Sequence, residues 1–88
     1  MINAEEAYKI AKEVANKEDC YIHSETLIND VYWFAIVPNS LSKTNKVYDI
    51  NGAYSVNGNT RKIQKCSSSE LISACMNGEE KEIDISNF

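Results

Sequence analysis

The chain has 88 residues, 43% of them hydrophobic and 25% charged, with 13 acidic and 9 basic side chains and a formal net charge of −4. A chain of that length forms one domain, spanning residues 1–88, with one modest core, and its near-average composition excludes wholesale disorder. An acidic chain with no basic cluster grips phosphate backbones poorly, so nucleic acid is not the expected partner, and a positively charged protein is favoured instead.

Met1-Ile2-Asn3-Ala4-Glu5-Glu6 has neither a basic start nor an apolar run, so no secretory signal is read there. The longest apolar stretch, Val31 to Val37, is too short to span a bilayer. Three scattered cysteines, Cys20, Cys66 and Cys75, do not make a disulfide framework. The expectation is a cytoplasmic protein with reduced thiols and no membrane contact.

Asn3 followed by Glu6 is spaced as a capping box, and Ala7, Ile10, Ala11 and Val14 then recur at helical intervals. Glu5, Lys9, Lys12, Glu13 and Asn16 fall mostly on the other side, which predicts a helix over about 4–18 with a small-residue stripe toward a sheet. Residues 20–28 alternate as a strand, with Ile22 and Ile28 on one face and Tyr21, His23, Glu25 and Leu27 on the other. Asn29-Asp30 marks a turn. Val31 to Val37, ended by Pro38, is apolar on both parities, as a central strand covered on both sides would be.

Residues 39–46 form a polar loop, and Val47 to Val56 reads as a third strand with Tyr48, Ile50, Tyr54 and Val56 on one face. Asn57-Gly58 supplies residues suited to a type I′ turn, and the return strand runs from about Asn59 to Lys65. If Val56 pairs with Asn59, Gly52 lies opposite Ile63. A four-residue loop would instead keep Val56 and Ile63 on one face, and the pattern leaves both registers open. Ser67 and Glu70 form a second capping box, Leu71, Ile72, Cys75 and Met76 an apolar patch, and Gly78 occupies a C′ position, so a second helix is predicted over about 68–77. The acidic tail from Glu79 to Phe88 reads equally as an edge strand or a flexible extension. The fold class is therefore α+β: an N-terminal helix packed on a four-stranded antiparallel meander, then a short C-terminal helix and an optional edge strand.

No catalytic device emerges. His23 is the only histidine and lacks a nucleophile and an orienting carboxylate at any motif spacing, so it reads as a half-exposed structural residue. Cys20 and His23 have a metal-like spacing, but Cys66 and Cys75 do not form the second close pair that structural zinc sites use. In Ser67-Ser68-Ser69 the capping box explains the first serine, and the paired carboxylates Glu79, Glu80, Glu82 and Asp84 sit in the tail. The expectation is a non-enzyme without metal or cofactor. What remains is surface: the second helix is too short to cover a whole sheet face, and Tyr32, Tyr48 and Tyr54 lean toward that open face. Tyrosines near Asp49 and the acidic tail suit a protein interface.

Three stretches carry a family likeness. Glu5-Glu6-Ala7 with Ile10-Ala11 matches an opening "EEA…IA" helix, and Trp33-Phe34 an aromatic strand. Asn51 to Ile63 (NGAYSVNGNTRKI) matches the Asn, Gly, Val, Thr and Ile of a segment of the form N-G-P-x-x-V-D-x-x-T-G-x-I, with Ala53 for proline, Asn57 for aspartate and Arg61 for the second glycine. Over roughly residues 3–65 the chain resembles the small immunity proteins of bacterial toxin–immunity systems such as contact-dependent growth inhibition, specifically immunity protein family thirty-five. That resemblance implies a cytoplasmic protein that binds and neutralises a cognate toxin by occlusion, and the acidic charge favours a basic toxin such as a nuclease. The expected contacts are Tyr48, Asp49 and Tyr54, then Glu79, Glu80, Glu82 and Asp84. Peptidase-propeptide and cystatin-like inhibitor modules share the helix-then-sheet plan and are the runner-up, and a homodimer through the open face is the third reading.

Overall fold

The computed structural model describes residues 1–41 and 52–88. It has two α-helices, α1 (Ala4–Lys17) and α2 (Ser68–Asn77), and five strands: β1 (Cys20–Ile28), β2 (Val31–Pro38), β3 (Ala53–Asn57), β4 (Ile63–Cys66) and β5 (Glu80–Ile83). The strands form one antiparallel sheet in the order β4-β3-β2-β1-β5. The α+β architecture matches the expected plan, and the tail is a fifth strand at the edge beside β1. The first part of the expected third strand, with Tyr48, Asp49 and Ile50, lies outside the described residues.

Both helices begin where their caps stand. The Asn3 side chain accepts the Glu6 amide at 2.8 Å, and the Ser67 hydroxyl accepts the Glu70 amide at 3.2 Å. Helix α1 buries Ala7, Ala11 and Ala15 against the sheet, with Ile10 and Val14 partly buried beside them. Short side chains on the helix leave room for long ones on the sheet, and Tyr32, Phe34, Ile36, Tyr54 and Val56 fill it.

Tyr32 and Tyr54 are therefore core residues, 3% and 1% exposed, which corrects their expected place on an open face. Cross-strand pairing puts Tyr32 opposite Val56 and Phe34 opposite Tyr54, all on the α1 side. Each buried phenol finds an acceptor, as burial demands. Tyr32 Oη donates to the Ile2 carbonyl at 2.9 Å, and Tyr54 Oη donates to the Glu18 carboxylate at the end of α1. Lys65 Nζ lies 3.3 Å from that same carboxylate.

A bulge changes the reading of β1. Ile22 pairs with Ile36 and Ser24 with Ala35, so the register shifts at His23. Every side chain after the bulge changes face relative to strict alternation. Ile22 and Ile28 consequently lie on opposite faces, and Glu25 and Leu27 turn toward α1 while Tyr21 does not.

The two-residue turn falls in the first hairpin rather than the second. Asn29 and Asp30 both have positive φ, 49° and 64°, and close β1 onto β2 with Ile28 opposite Val31, as a type I′ turn requires. Asn57-Gly58 does not form that turn. The Asn57 carboxamide oxygen accepts the amides of Asn59 (2.8 Å) and Thr60 (3.1 Å), and Arg61 takes the left-handed conformation at φ 65°. Four residues, 58–61, form the loop, Val56 pairs with Ile63, and Ala53 pairs with Cys66. Gly52 thus lies beside Cys66 rather than opposite Ile63.

Helix α2 crosses the sheet face away from α1. Gly78 there is extended (φ −130°) rather than left-handed, and its requirement is closeness: a β-carbon would sit 2.3 Å from the Ile28 side chain. The expected apolar patch on α2 divides. Leu71 and Cys75 are half-buried, whereas Ile72 and Met76 are 58% and 80% exposed.

Candidate functional site

Edge strand β5 presents the acidic residues of the tail. Glu79, Glu80, Glu82 and Asp84 are all exposed; pairing with β1 fixes the directions of Glu80 and Glu82, and Glu79 and Asp84 flank the strand. Glu80 and Glu82 stand opposite Ile28 and Thr26 on the α2 side of the sheet, while Lys81 and Ile83 stand opposite Leu27 and Glu25 on the α1 side. Asp84 accepts the Ser86 hydroxyl at 2.7 Å and the Ser86 amide at 3.0 Å, and these bonds hold its carboxyl below the usual range. Asn29, Asp30, Glu79, Glu80 and Lys81 line a shallow depression at one end of the strand. The result is one ordered acidic edge.

The tyrosine half of the expected interface is not assembled in the same way. Tyr54 is buried, so its phenol is closed to a partner in this conformation, and Tyr48 and Asp49 lie outside the described residues. The open part of the α2 face is instead a groove of about 440 Å³ between the β3–β4 hairpin and the start of α2. Val31, Trp33, Ser55, Asn57, Gln64 and Glu70 are among its walls. Trp33 was legible as an aromatic in a two-faced strand, but which parity α2 would leave uncovered was not.

Cys20, His23, Cys66 and Cys75 are not gathered. Among the described residues, no group of three or more His, Cys, Asp or Glu side chains is placed to hold a metal ion. His23 is exposed at the bulge. Burial pushes all three thiols up, keeping them protonated, with Glu18 adding to the effect at Cys20 and Glu80 at Cys75. No described helix is long and apolar enough to cross a membrane.

Glu25 is the residue that sequence reading placed on the wrong face. Its side chain is fully buried, and neither carboxylate oxygen has a hydrogen-bond partner among the described residues. Phe34 stands opposite it on β2, and Ile83 on β5. Burial alone pushes its carboxyl up to about 8, so at neutral pH it is held as the uncharged acid. The sequence carries no signal for this, because Glu25 stands between Ser24 and Thr26, and only the bulge two residues earlier turns it inward.

Compared with protein-family models, curated proteins and solved structures, the chain matches none of them. Two features then distinguish the domain from a plain helix-on-sheet scaffold: the acidic β5 edge and the orphaned Glu25 carboxyl.

Proposed function

We propose that this domain is a non-catalytic immunity module that acts in the cytoplasm, binding a cognate bacterial toxin domain and neutralising it by occlusion. The observation that carries this reading is the acidic edge, where β5 holds Glu80 and Glu82 on one face of the sheet and exposed Glu79 and Asp84 flank the strand at its two ends. Such a surface suits a basic partner, a nuclease domain being the natural case, by accelerating encounter and penalising wrong partners.

The β3–β4 turn supports the resemblance behind this reading. Asn57 accepts two loop amides as an aspartate at that position could, and Arg61 adopts a backbone conformation that favours the glycine of the resembled segment. Both departures from the segment thus remain compatible with a single turn geometry.

The deciding experiment is co-expression with the product of the neighbouring gene, scored by growth rescue and co-purification. A neighbour that is not toxic, or that is toxic without being rescued or bound, removes the immunity reading. With a partner in hand, replacing Glu79, Glu80 and Glu82 by Gln and Asp84 by Asn is expected to slow association about tenfold at low salt and much less at high salt. An unchanged association rate counts against the β5 edge as the contact. A homodimer is the second reading, favoured by the exposure of Ile72 and Met76 on one side of α2. A monomer in sizing across a wide concentration range would exclude it.

A further inference from the structure

A carboxyl buried without a partner is tolerable only while it is neutral, because ionisation in that position demands water or a counter-charge. Three walls enclose Glu25: α1 above it, Phe34 of β2 on one side and Ile83 of β5 on the other. These walls differ in strength. Helix α1 is a capped 14-residue element with three buried alanines, and β2 is the central strand. Strand β5 has four residues, of which only Ile83 is not exposed, and it is bonded to the sheet along one side alone. Beyond it, the chain is tied back by the Phe88 ring against Tyr8 on α1, at a centroid separation of 5.4 Å. The weakest wall is the one made by β5.

We propose that β5 and the residues after it form a pH-sensitive strap, closed over Glu25 while its carboxyl is protonated and released when it ionises, baring the outer edge of β1. The charged and titratable groups around Glu25 do not offer it another way out. From β2, the Tyr32 hydroxyl is committed to the Ile2 carbonyl. From β5, Lys81 lies on the same face but is exposed and two residues from Ile83, and Glu82 points to the other face. From α1, Glu6 is paired with Arg61 at 3.2 Å, and Lys12 stacks over the Tyr8 ring. On β1 itself, His23 is exposed at the bulge. The upward displacement of the Glu25 carboxyl to about 8 puts release within reach of mildly alkaline pH.

Opening of the strap lets Glu25 ionise at its ordinary value, so the closed state loses ground as pH rises from about 4.5 to about 8. Amide hydrogen exchange on the intact protein reads this directly, with rates at each pH divided by the intrinsic rate. Peptides covering β5 are expected to be less protected than those covering β3 throughout. Their protection should fall by up to about tenfold per pH unit between 5 and 8, then level off. In Glu25→Gln the slope should vanish, with Glu25→Leu as the second variant should the first fold poorly, and His23→Asn should leave the slope intact. The strap is overturned if β5 protection in the wild-type protein has no such slope, if β5 and β3 exchange together as one unit, or if the slope persists without Glu25 or disappears without His23. The first two outcomes need no variant.

Discussion

Arg61 holds a left-handed backbone at φ 65°, a region that costs a residue with a β-carbon roughly 1–2 kcal/mol and glycine almost nothing. Its guanidinium meets Glu6 at 3.2 Å, but both side chains are largely exposed, and such a pair is worth about 0–1 kcal/mol. After allowing for the extra freedom glycine has in the unfolded chain, Arg61→Gly is expected to stabilise the domain by about 0.5–1 kcal/mol. A thermal melt should show a midpoint several degrees higher. Gly78 is the opposite case. A β-carbon there would meet Ile28 at 2.3 Å, so Gly78→Ala is expected to destabilise by about 1–3 kcal/mol, measured as a lower urea midpoint. The position of Gly78 after a helix was legible, but the reason for it was not: the neighbour that excludes a side chain lies on β1, some fifty residues earlier in the chain.

At the scale of elements, both helices were readable because their signals are local. The Asn3 and Ser67 caps each act three residues ahead, and the 3.6-residue period needs no partner to be seen. The alanine stripe of α1 carries a testable consequence. Ala11 is fully buried against a sheet face already filled by Tyr32, Phe34 and Tyr54, so Ala11→Leu should overpack the interface and cost about 1–3 kcal/mol in chemical denaturation. Strands were less legible. The two-faced character of β2 predicted its central place, yet the bulge at His23 reverses the facing of the rest of β1, and nothing within the strand announces it. The same dependence on partners hid the fate of Tyr54, which alternation could place on a face but not under a helix. The β3–β4 register was equally undecided until pairing set Val56 opposite Ile63.

For the molecule as a whole, Glu25 sets the direction of the pH response. Its native carboxyl is raised from 4.5 to about 8, so the native state keeps a proton that the unfolded chain gives up. The stabilisation is complete below about pH 4.5, declines by up to about 1.4 kcal/mol per unit as pH rises, and levels off above about 8. Asp84 and Glu18 have the reverse sign. Both are held low, Asp84 first by the Ser86 hydroxyl and Glu18 first by Tyr54, so their contributions are present near neutrality and lost on acidification. Urea midpoints taken from pH 5 to pH 8.5 should therefore fall in the wild-type protein and stay nearly flat in Glu25→Gln.

Sequence by itself determined the α+β class, the two helices with their caps, the Asn29-Asp30 turn, the acidic tail and the central strand. Each of these rests on interactions between residues a few positions apart or on a period within one segment. Only the tertiary structure decided that the tail returns to pair with β1, that its carboxylates line an edge, that Tyr32 and Tyr54 are core, and that Glu25 is enclosed without a partner. Those outcomes depend on which strand lies beside which and on a one-residue bulge. A strand's sidedness has a period of two, so a single inserted residue is enough to exchange a solvent position for a buried one.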